Sequence, residues 1–304
     1  MSNVKMYYDD HAKPDSLVKH LTLNQEELQD NREKIGGSQP KNIIVRDSVI
    51  QYVKFDNIER YPNSSEVAMN YSYPSIVEAV SSALIRNSNI ESRVRCTDYY
   101  FAIITNQDTG GTLTGSISNS FRRNGEIEYK LVDKQKSVDD EPLRKHQYAE
   151  QIVGKYISPE FILKNMAGRT HVPYTSLTDQ FDAKSALDKL LDNQDVLFNP
   201  GNFIVVRNVL MRESFIVSMD YGRCIAFADY PQGGYYTLYR NAADFEPFII
   251  DLEGFESEVE KIASEVIHYD IDLGKYTISV GRQLLRSLNN NTIFWRDVKD
   301  VEGS

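Results

Sequence analysis

Three metal-capable side chains, His268, Asp270 and Asp272, stand at alternate positions in His268-Tyr269-Asp270-Ile271-Asp272. An extended segment turns all three to one side, as a metal-dependent hydrolase requires. The same five residues read equally as a helix ending at His268, whose carbonyl end favours a cation, with an aspartate capping the next helix.

A second carboxylate stands in Asp108-Thr109-Gly110, which follows the apolar run Phe101 to Ile104. Over these three residues the chain resembles the aspartic proteases, in which two such loops bring two carboxylates to share one proton. The other apolar run with a similar ending, Ile216-Val217-Ser218-Met219-Asp220-Tyr221-Gly222, has Tyr221 where the small hydroxyl residue belongs. Asp and Gly in Asp108-Thr109-Gly110-Gly111-Thr112 also suit a hairpin tip. The glycines that follow, up to Gly115-Ser116, lack the Gly-Lys-Ser/Thr of a phosphate-binding loop and run into a strand pattern.

Nucleophilic chemistry finds little material. There is no Gly-x-Ser-x-Gly elbow, and Cys96 and Cys224 sit in apolar strand contexts where thiols are inert. Of the five histidines, none has a partner at i+4. Basic residues gather at Arg93, Arg95, Arg122 and Arg123; if strands near 93–103 and 113–132 pair, they form one patch for nucleic acid or an acidic partner. A solvated face is the simpler reading.

The elements that must position these groups follow from periodicity. Residues 1–41 are polar and end in Gly36-Gly37-Ser38-Gln39-Pro40, which predicts an N-terminal arm, flexible or docked on a partner, with one short helix around Leu23 to Leu28. Ile43-Ile44-Val45 and Val49 to Phe55 read as strands. Pro74 opens a helix, with Ser75 and Glu78 at capping-box spacing and Ile76, Val77, Val80, Ala83 and Leu84 on one face. Tyr99 to Ile104 is a buried strand, and Asn124-Gly125 predicts a hairpin leading into Ile127-Glu128-Tyr129.

These elements make a mixed sheet and helix domain over 42–144. Residues 145–200 read as a helical connector, and 201–304 as an antiparallel meander or small barrel covered by C-terminal helices. Phe255, Val259, Ile262 and Val266 mark the first of those helices and Tyr276 to Leu288 the second. The expected class is α+β.

Composition narrows function by exclusion. The net charge of −10 opposes broad attraction to nucleic acid or an anionic membrane, and no run of apolar residues is long enough to span one. Two cysteines in 304 residues suit a reducing compartment, cytoplasmic or inside an assembled viral particle. With no catalytic motif and no cofactor expected, the chain reads as a non-enzymatic assembly subunit of a phage or viral particle, oligomeric through its arm. The alternatives are a metal-dependent or carboxylate hydrolase and a nucleic-acid-contacting module.

Overall fold

The computed structural model describes residues 16–31, 39–46, 49–56, 73–120, 126–129, 174–193, 203–208, 211–222, 224–225, 238 and 240–302. The α+β class holds, with helices packed between and beside two sheets.

The first sheet has the order β1-β5-β6-β3-β2. Its strands are β1 (Val18–Leu23), β2 (Lys41–Arg46), β3 (Val49–Phe55), β5 (Tyr99–Asn106) and β6 (Thr112–Asn119). Strand β1 runs parallel to β5, from Val18 opposite Phe101 to Leu23 opposite Asn106; the other neighbours are antiparallel. Residues 18–23, assigned to an arm from their polarity, are therefore an edge strand whose Val18 and Leu23 are buried. The short helix expected nearby is a single turn, in which the Leu28 amide donates to the Asn24 carbonyl.

Helix α1 (Pro74–Arg86) lies under this sheet with Ser75 through Ile85 buried. Proline at the first position sets the entry and the apolar face seats the helix. The opposite face is covered by two long helices, α3 (Leu252–Ile267) and α4 (Ile271–Asn290), which pack on each other and on α1. Burial on all sides leaves Glu78, Ser81 and Ser82 in the interior and makes their partners consequential. At the far end of α1, Arg86 Nε donates to Glu258 of α3 at 2.7 Å, and Asn87 Nδ2 donates to the same carboxylate at 2.7 Å.

The second sheet has the order β4-β9-β8-β7: β4 (Arg95–Cys96), β7 (Glu126–Tyr129), β8 (Phe203–Asn208) and β9 (Glu213–Ser218). Strand β4 pairs parallel to β9, and β7 to β9 pair antiparallel. Helix α2 (Tyr174–Leu190) packs on β9. A short parallel pair, β10 (Phe248–Ile250) with β11 (Trp295–Asp297), and helix α5 (Val298–Glu302) complete the described chain.

The hairpin predicted at Asn124-Gly125 turns on residues outside the described ones; among those described, β6 pairs with β5 and β3, and β7 pairs with β8. The C-terminal helices pack on α1, α4 also meets α2, and among the described residues β10 pairs with β11 instead of extending the β8–β9 hairpin. The helices expected at 148–166 lie outside the described residues, as does all but Leu238 of the strand expected at 235–239.

Candidate active site

The segment Tyr52-Val53-Lys54-Phe55 of β3 alternates across the sheet, and on the face turned to α1 it places a lysine amid apolar neighbours. Lys54 keeps 8% of its side chain exposed and pairs with Glu78 of α1, whose side chain is fully buried. Ser116 of β6 donates its hydroxyl to the second oxygen of Glu78. Lys54 Nζ also donates to Asp220 Oδ1 at 2.9 Å. Asp220 stands two residues past the end of β9, so the ammonium bridges the two sheets.

Burial alone would lower the proton affinity of Lys54, but the carboxylates of Asp220 and Glu78 outweigh it and hold the ammonium well above its ordinary range. Burial raises Glu78, and Lys54 opposes that rise. A buried pair of this kind is maintained only where its remaining valences are met, which Ser116 and Asp220 do here.

Asp220 is held in an uncommon backbone conformation, with φ of 64°, which aspartate tolerates better than most residues. Its amide donates to the Tyr99 hydroxyl at 3.2 Å. The Tyr99 ring in turn lies 4.7 Å below Lys54 Nζ, measured to the ring centre, a cation–π contact. Tyr221 packs edge-on against Tyr99 with ring centres 5.7 Å apart and donates its hydroxyl to the Ser218 carbonyl. Next in the chain, Gly222 abuts helix α1: a Cβ there would lie 2.9 Å from the Cβ of Pro74.

One further carboxylate stands beside the group. Asp56, directly after β3, accepts from the Ser75 hydroxyl, from the Ser75 amide at 3.4 Å and from the Thr114 hydroxyl at 2.8 Å. Burial pushes its carboxyl up to about 7, the hydrogen bonds oppose the rise, and Glu78 adds to it. Below the site, Lys184 and Asp188 form a fully buried ion pair on α2, and Asp188 accepts from Asn193 Nδ2 at 3.1 Å.

The residues singled out from the sequence lie elsewhere. Asp270 caps α4, its carboxylate accepting from the amides of Asp272 and Leu273, while Asp272 pairs with Lys275 and His268 ends α3. Among the described residues no group of three His, Cys, Asp or Glu side chains is placed to hold a metal. Asp108 is at the exposed β5–β6 tip, where Asn106 Oδ1 accepts from the Asp108 and Thr109 amides and Gly110 has φ of 70°.

Arg93 stacks on Phe245 and Phe248, and Arg95 is paired with Glu126 and stacked on Phe215. Arg122 and Arg123 lie outside the described residues. Cys96 and Cys224 are buried thiols pushed up by burial. No described helix is long and apolar enough to cross a membrane.

Lys54, Glu78 and Asp220 escaped the sequence reading, although signals were present: a lysine on the inward face of an apolar strand and a glutamate in a helix apolar all round. Ser75 and Glu78 were read as a capping box, yet Tyr73 is the capping position and Glu78 points at Lys54 instead of at the backbone.

No family model and no curated protein sequence matches the chain. Its fold is similar to the crystal structure of a Helicobacter pylori proinflammatory kinase, CtkA, with a TM-score of 0.51 and 14% identity, covering 89% of this chain and 98% of that one. Together with the converged ionisable cluster, this overturns the expectation of a non-enzymatic assembly subunit from a phage or viral particle: the fold is kinase-like, and buried charged groups meet inside it.

Proposed function

We propose that the chain is a nucleotide-dependent phosphotransferase, with Lys54, Glu78 and Asp220 as the groups that hold phosphates and metal. The observation that carries this reading is the three-way meeting of a lysine on a strand, a glutamate on the helix that follows, and an aspartate opening an Asp-x-Gly turn after a later hairpin. Kinases use that combination: the strand lysine pairs the nucleotide phosphates and the helix glutamate, and the aspartate of Asp-Phe-Gly binds magnesium. Here the turn reads Asp220-Tyr221-Gly222.

The residues fit a magnesium nucleotide on their own chemistry. Lys54 is a charged donor between two carboxylates, and Asp220 keeps 35% of its side chain exposed, enough for an incoming ligand to reach. When bound, the magnesium nucleotide supplies the phosphoryl group to be transferred. Lys54 then donates to phosphate oxygens, Glu78 keeps its ammonium charged and aimed, and Asp220 offers a carboxylate to the metal.

The deciding experiment measures binding of a fluorescent ATP analogue with magnesium, and phosphate transfer from labelled ATP to the chain itself or to added protein. Binding that disappears in Lys54→Met and loses its magnesium dependence in Asp220→Asn is expected. A wild-type chain that binds no nucleotide at millimolar concentration ends the proposal.

A further inference from the structure

Two layers of side chains, each drawn from the same three elements, connect β3, α1 and β6. One is Lys54, Glu78 and Ser116; the other is Asp56, Ser75 and Thr114. Asp56 is two residues beyond Lys54 on its strand, Thr114 two before Ser116, and Ser75 three before Glu78 on its helix. Those are the spacings at which side chains share a face of a strand or a helix. The first layer belongs to the proposed phosphate site. The second has no place in it.

Helix α1 is also short of a cap. Tyr73 occupies the capping position and makes no side-chain hydrogen bond to the first turn. Asp56 supplies the missing acceptor from across the fold, taking the Ser75 amide and hydroxyl, while its own amide donates to the Thr114 carbonyl. A carboxylate at a helix N-terminus also meets the positive end of the helix dipole.

We infer that Asp56 is a positioning residue: it caps α1 from the end of β3 and so sets the seat from which Glu78 reaches Lys54. The inference rests on the phosphotransferase reading for its functional consequence, though not for its structural one. The ionisable groups facing Asp56 are Glu78 and Tyr73 from the side of α1 and Tyr276 from α4, with Lys54 two positions away on its own strand.

The test compares wild type with Asp56→Ala and Asp56→Asn by amide hydrogen exchange over residues 75–80 and by magnesium-ATP-analogue affinity between pH 6 and pH 8. Asp56→Ala is expected to speed exchange in the first turn of α1 about tenfold, the size of losing one cap, and to weaken nucleotide binding. Asp56→Asn keeps an acceptor for Ser75, so it should restore most of the protection and give an affinity that no longer varies with pH where the wild type's does.

If Asp56→Ala does not fold, Thr114→Val removes one bond of the same layer and should raise the same exchange rates to a lesser degree. Unchanged exchange in Asp56→Ala and Thr114→Val, or a pH profile in Asp56→Asn that matches wild type, would overturn the inference. Should the wild type bind no nucleotide while exchange still responds to Asp56, the capping role stands and the phosphotransferase reading falls.

Discussion

Lys54 and Asp220 are 166 positions apart in the chain, yet Nζ of one lies 2.9 Å from Oδ1 of the other. That bond crosses from the first sheet to the loop after β9, so any change that parts the sheets is felt at the lysine. Several consequences can be measured.

Replacing Lys54 by Met leaves Glu78 buried without its cation. Breaking a buried pair in this way costs about 3–5 kcal/mol, so Lys54→Met should be strongly destabilised in urea denaturation. Lys54→Met/Glu78→Met should recover much of that loss and still bind no nucleotide. Equal stabilities for the single and double variants would show that the pair is not coupled.

Asp220 is the most exposed of the three, and its replacement should act on ligand and not on fold. Asp220→Asn is expected to unfold within about 1 kcal/mol of wild type and to lower phosphate transfer at least ~100-fold, the scale of losing one electrostatic stabiliser. Titration of magnesium at fixed nucleotide is the direct check.

Gly222 leaves no room for a side chain against α1. Gly222→Val should push the Asp220 turn away from Pro74, weakening nucleotide affinity more than Gly222→Ala does. Binding constants for the two variants in parallel settle the order.

The pH dependence of stability has a definite sign at Asp56. Its carboxyl is raised from 3.8 to about 7 by burial, so the folded chain holds a proton that the unfolded chain releases. The stabilisation is complete below about 4 and is lost as pH climbs to about 7. Thermal melts across that window should show a declining component in wild type that is missing from Asp56→Asn.

The strands β3 and β5 and the helices α1, α3 and α4 were legible because burial on one face leaves a periodic trace, as Phe255, Val259, Ile262 and Val266 show. Strand β1 was not, since Lys19, His20 and Thr22 turn polar groups outward and only two of its six side chains are buried. The site was hidden for a related reason. Lys54, Glu78 and Asp220 come from three separated segments with no fixed spacing, and only the fold brings them together. Ser75 and Glu78 were visible as a pair, but local spacing suggested a local partner while their actual partners lie on β3 and β6.

Strand β4 is two residues long, and it is stitched to β9 while standing only two residues ahead of β5. The floor of the site is thus tethered to its roof right behind Tyr99. The covalent chain here and the Lys54–Asp220 bond hold the same two sheets together at two points, one through backbone and one through side chains.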